Sequence, residues 1–101
     1  MREKIQDIFE TFTIIEQDFI NYQKRADLLE VEKRKDTLFE VCLWLYTIAQ
    51  DEETRQDVNG IEIDIKQALQ NNDYVLFHDV WTYGLKKYMQ FLLRLPAEEM
   101  M

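Results

Sequence analysis

Apolar residues at Ile5, Ile8, Phe12, Ile15, Phe19, Tyr22, Ala26 and Leu29 recur at 3-4-3-4 spacing, the pattern of a helix that packs against another along its whole length. The spacing predicts a helix over about 2–31, roughly 45 Å long at 1.5 Å per residue and longer than a compact domain of this size needs. Part of the seam then requires a second cover, either the last helix of the same chain or the same helix of a second copy. The second option predicts a homodimer.

Five consecutive charges, Glu32-Lys33-Arg34-Lys35-Asp36, fall where the next seam positions would lie and predict a turn. Thr37-Leu38-Phe39-Glu40 has capping-box spacing. It predicts a second helix over about 37–50, apolar on nearly every face from Leu38 to Ala49 and therefore the centre of the core. Asp51 to Asp57 is polar and acidic and reads as a frayed helix end, followed by the turn signal Asn59-Gly60. Ile61, Ile63 and Ile65 alternate as in a strand, while Ile61, Ile65, Ala68 and Leu69 fit a helical face. With no second strand to pair, the helical reading gives a short helix over about 62–70, ended by Asn71-Asn72. Asp73 is placed to cap a last helix over about 73–95, stopped by Pro96. Gly84 inside that helix costs about 1 kcal/mol relative to Ala and predicts close approach of a neighbour.

The expected fold is all-α, an up-and-down helical bundle of two long helices (about 2–31 and 73–95) and two shorter ones (about 37–50 and 62–70). It forms one domain over 1–101. Composition agrees: 2 Gly and 1 Pro in 101 residues leave too few turn residues for an all-β fold. A 47% share of hydrophobic residues is too high for a disordered acidic tail.

Charge narrows the function classes. Twelve basic against 20 acidic residues give a formal −8, which repels phosphate backbones and argues against nucleic-acid binding. The clusters Lys24-Arg25, Lys33-Arg34-Lys35 and Lys86-Lys87 read as scattered solvated charge. Mixed charges near Met1 stand where a signal peptide would be apolar, and the longest uncharged run, Val41–Gln50, is half a membrane span. Cys42, the one cysteine, sits in an apolar run and reads as a small buried hydrophobe in a reducing compartment. A cytoplasmic protein without a membrane anchor is expected.

The chemistry-bearing residues make no catalytic set. His78, the sole histidine, has Val75 three residues before it, so the Glu-x-x-His pairs of a helical di-iron site are absent. Placing Gly60 at the sixth position of a calcium loop puts Arg55 and Lys66 where carboxylates must stand. A divalent site around Asp57, Glu62 and Asp64 competes with a solvated acidic loop, and spacing alone leaves a Cys42–His78 pair open. The chain is similar in size and acidity to the all-helical nucleotide pyrophosphatases, whose Glu-x-x-Glu and Glu-x-x-Asp pairs hold magnesium. Asp7-Ile8-Phe9-Glu10 and Asp27-Leu28-Leu29-Glu30 have the spacing, but no matching pair follows downstream. No catalytic residue, metal or cofactor is expected.

The stretch from Ala68 to Leu85 runs Ala68-Leu69, a polar turn, Asp73-Tyr74-Val75-Leu76, then Asp79 and Tyr83 four apart, then Leu85. It resembles a signature of small uncharacterised all-helical bacterial proteins and covers 18 of 101 residues. The resemblance implies a helical fold and no particular activity.

The expected function is a non-enzymatic protein-interaction module, dimeric and adaptor- or chaperone-like, with a groove that binds a partner helix. Its candidate interface residues are Phe12, Phe19, Tyr22, Trp81 and Tyr88, with Asp79 and Tyr83 as candidate polar contacts. Trp81, like Trp44, also reads as a core anchor. The alternative is an acidic inhibitor or immunity-type protein that mimics phosphates, since eight acidic and two basic residues lie between Asp51 and Asp79. A carboxylate-metal enzyme is the third expectation.

Overall fold

From Leu29 onward the helices follow one another with almost no loop between them. A computed structural model describes residues 2–22 and 28–95, with the side chains of all these except 18–22. The elements are α1 (Arg2–Tyr22), α2 (Leu29–Lys33), α3 (Lys35–Ile48), α4 (Glu52–Asn71), α5 (Tyr74–Val80), a π-helical turn (Trp81–Leu85) and α6 (Lys86–Arg94). Among the described residues there is no strand and no helix long and apolar enough to cross a membrane.

The order of contacts makes the bundle up-and-down. Along α1, Arg2 reaches the Leu93 and Leu95 carbonyls while Glu16 meets Trp81 and Lys86, so α1 runs antiparallel to the last helical segment. Along α4, Lys66 lies over the Phe39 ring of α3. On its other side Asp57 accepts from Tyr88 and Ile61 sits under Gly84. The first half of the seam, Ile5, Ile8, Phe12 and Ile15, is buried inside this one chain with Phe77, Trp81, Met89 and Leu92. Phe12 meets Phe77 and Trp81 edge-to-face at 5.1 and 5.3 Å between ring centres, contacts worth about 0.5–1.5 kcal/mol each beyond the area they bury.

Four predicted boundaries are corrected. The 2–31 helix is not one rod. Arg34 Nε donates to Asp7 at 2.7 Å, whereas a continuous helix would hold residues 7 and 31 about 36 Å apart. Its length of about 45 Å would also exceed the 38 Å long axis of the molecule. Leu29, the last seam position, is exposed, while Leu28 and Val31 are buried, so the face changes after the break. Phe19 and Tyr22 have side chains outside the described residues, as do all atoms of residues 23–27 and of Pro96.

The five-charge run is a joint between two helices rather than a loop. Only Arg34 (φ −107°, ψ 6°) stands between α2 and α3, its charge shared by Asp7 and Glu30. Lys33 pairs with Glu30 and Lys35 with Glu32. Helix α3 therefore starts at Lys35, with no side-chain cap and with Thr37 inside its first turn.

The predicted 62–70 helix is 20 residues long. Asp51 caps it by accepting from the Thr54 N–H, and Glu52 and Glu53 lie in its first turn where the helix dipole favours acids. Val58, Ile61, Ile65 and Ala68 form its buried stripe, and that periodicity overrides the Asn59-Gly60 turn signal. At its end Asn72 is left-handed, with φ 49°, as the sequence predicts.

The last helix begins at the expected cap, Asp73 accepting from the Leu76 N–H at 3.0 Å. Its path to Arg94 is interrupted by the π-helical turn at Trp81–Leu85. Such a widened turn inserts a residue into the helical register. Here Trp81 and Leu85 point into the core while Tyr83 points out, 79% exposed.

Candidate groove between α4 and the π-helical turn

The outward side of the π-helical turn and the adjoining face of α4 bound an open groove of about 340 Å³. Ile61, Leu76 and Val80 supply its apolar surface, and both glycines of the sequence, Gly60 and Gly84, lie along it. They are there for different reasons. A Cβ on Gly84 would stand 3.3 Å from the Ile61 side chain, so the close approach predicted for Gly84 is present. A Cβ on Gly60 would meet nothing within 4 Å, and its φ is not positive. Gly60 thus carries the helix-propensity cost of glycine, about 1 kcal/mol, with no packing among the described residues that requires it.

Three carboxylates line the groove: Asp57 and Asp64 from α4, and Asp79 from α5. Asp57 is engaged within the chain, accepting from the Tyr88 hydroxyl at 2.5 Å and lying 3.5 Å from the Lys87 ammonium. Burial, then the hydrogen bond and negative charge of Asp57, raise the Tyr88 phenol above its ordinary value. Asp64 has no ion pair among the described residues. Asp79 has the imidazole of His78 at 3.7 Å. Asp79 and Tyr83, the predicted polar contacts, both line this groove, and no hydrogen bond joins them.

The other candidates fall elsewhere. Phe12 and Trp81 are core side chains, 0% and 1% exposed, and present no surface to a partner. Tyr88 packs at the edge of the core with its hydroxyl on Asp57. Cys42 is buried in α3. Burial first, then the charge of Glu62, pushes its thiol up to about 12, so the nucleophilic thiolate is scarce at neutral pH. The loop imagined around Asp57, Glu62 and Asp64 is helix, and its carboxylates divide. Asp57 and Asp64 face the groove, while Glu62 lies with Cys42, Leu43 and Tyr46 on the α3 side. Among the described residues no group of three or more His, Cys, Asp or Glu side chains could hold a metal ion.

Sequence reasoning missed a buried polar knot behind the groove. Glu16 accepts from the Trp81 indole N–H at 2.8 Å and from the Lys86 ammonium at 3.2 Å, and nearby on α1 the Ile15 carbonyl accepts from the Tyr74 hydroxyl at 2.6 Å. These bonds pin α5, the π-helical turn and α6, one residue from each, to α1. Glu16 stands next to Ile15 of the seam, a position that reads as solvent-facing. The i,i+5 relation of Trp81 and Lys86 has meaning only once the turn is π-helical.

No family model, curated protein or solved structure matches the chain.

Proposed function

We propose that the protein is a non-enzymatic interaction module, adaptor- or chaperone-like, whose groove between α4 and the π-helical turn receives a helix of a partner protein. The observation that carries this reading is Gly60: among the described residues no atom lies within 4 Å of where its Cβ would stand, which leaves the groove open there. Helix-in-groove recognition needs such a cleft, with apolar anchors below and polar groups at the rim, and Ile61, Leu76 and Val80 under Asp64, Asp79 and Tyr83 fit it. The seam that motivated a homodimer is covered over Ile5–Ile15 by the chain itself, so the proposed site is the groove rather than the seam. Phosphate mimicry has less support, because Asp51 and Asp73 cap helices and Glu52 and Glu53 sit in a first turn. A lone buried thiol fits the reducing cytoplasm.

Helical peptides selected from a display library against the protein test the reading when each is re-measured on Gly60→Trp. The indole would fill the groove from an open position, so the fold should survive, as checked by circular dichroism. Selected peptides are expected to bind Gly60→Trp at least about tenfold more weakly, a difference of about 1.4 kcal/mol. A set that binds both proteins equally would overturn the groove.

A further inference from the structure

Resting on that reading, we infer that the helix seated in the groove is basic and amphipathic, with a stripe of small and apolar residues flanked on both sides by lysine or arginine. The stripe is set by the floor: Gly60 leaves its Cβ space empty, which lets a partner backbone or a small side chain come close to α4. The flanks are set by the walls. Asp64 projects from α4 and Asp79 from α5, on opposite sides of the same groove. Among the described residues neither is paired with a lysine or arginine, unlike Asp57 with its Lys87, and Asp79 has only the His78 imidazole at 3.7 Å. A helix lying between them meets a carboxylate on each side, and an acidic or neutral helix would bring neither a cation as water is displaced.

A second copy of this chain is a poor occupant. Each copy carries a formal −8, and Lys33, Arg34, Lys35, Lys86 and Lys87 are already paired with acids of their own chain. The charge complementarity is with a cationic segment of a different protein.

The probe is a synthetic helix about four turns long, with an alanine and leucine stripe flanked by lysines, compared with its Lys→Gln counterpart. Binding is read by fluorescence anisotropy. The lysine peptide is expected to bind wild type at least about tenfold more tightly than the glutamine peptide, and to weaken about five- to tenfold on Asp64→Asn/Asp79→Asn. Glu52→Gln/Glu53→Gln removes the same formal charge outside the groove and should change binding less than about twofold, which separates site recognition from attraction to an acidic protein. Equal affinities for the two peptides, with both lost on Gly60→Trp, would overturn the basic partner and leave the groove standing. Equal weakening by the two double substitutions would also overturn it. Binding that Gly60→Trp does not touch would overturn groove and partner together. Light scattering that shows two protein chains per peptide would assign the face to self-association instead.

Discussion

On the side of the π-helical turn that meets α1, the indole and the ammonium both have partners inside the chain. Trp81 stacks edge-on against Phe9 and Phe12, and its N–H and the Lys86 ammonium converge on Glu16. On the side that meets α4, Tyr83 is exposed, and among the described residues Gly60 is uncovered and Asp64 and Asp79 have no lysine or arginine partner. The two sides differ in what they were built against. The sealed side holds the turn in a register that α-helical bonding alone would not give, and the open side takes its shape from that register.

Breaking the sealed side should give the largest effect. Trp81→Ala removes the central aromatic and is expected to cost about 3–5 kcal/mol, a large fraction of a small domain's stability, measured by urea unfolding. Lys86→Met keeps the packing but takes one donor from Glu16, and about 1–3 kcal/mol of lost stability is expected. Effects below about 0.5 kcal/mol for both would show that the sealed side does not support the fold.

The glycines sharpen the contrast within the open side. Gly60→Ala should stabilise by about 0.5–1 kcal/mol, because the added methyl enters empty space. Gly84→Ala should gain less than Gly60→Ala or lose stability, since its methyl meets Ile61 at 3.3 Å. Thermal unfolding of the two variants side by side checks the order, and a larger gain at Gly84 would contradict the geometry.

The smallest effect is expected at the surface ion pair between α1 and the joint of α2 and α3. The hydrogen bond from Arg34 holds the Asp7 carboxyl below its usual 3.8. A depressed carboxyl adds stability above the unfolded value, and that stability is lost as pH falls through the folded one. Asp7→Asn should therefore lower stability slightly at neutral pH and flatten its decline below about pH 4, followed by circular dichroism. An unchanged acid profile would show that this pair does not tie α1 to α2 and α3.

How much of this could be read in advance depended on whether the signal was local. The Ile5–Ile15 face, the Asp73 cap and the left-handed Asn72 were legible because each depends on a few neighbouring residues. Gly60 was misread because Asn59-Gly60 is a turn signal wherever tertiary packing does not override it, and the buried stripe from Val58 to Ala68 does. The break after α1 was hidden by a seam whose spacing continues past it, although Leu29 no longer faces the core. The π-helical turn has no sequence mark, so the knot at Glu16 was invisible. Of the groove, Asp79 and Tyr83 were picked out from their i,i+4 spacing. Gly60 and Asp64 could join them only once α4 was known to be one long helix.

The most direct measurement is a two-dimensional amide NMR titration of the labelled protein with the lysine-flanked peptide. The account predicts that shift changes concentrate at Gly60, Ile61, Asp64, Asp79, Tyr83 and Gly84 and are absent from the first turn of α4 at Glu52 and Glu53. Changes spread over the acidic surface, or centred on the α3 side around Leu43 and Tyr46, would contradict it.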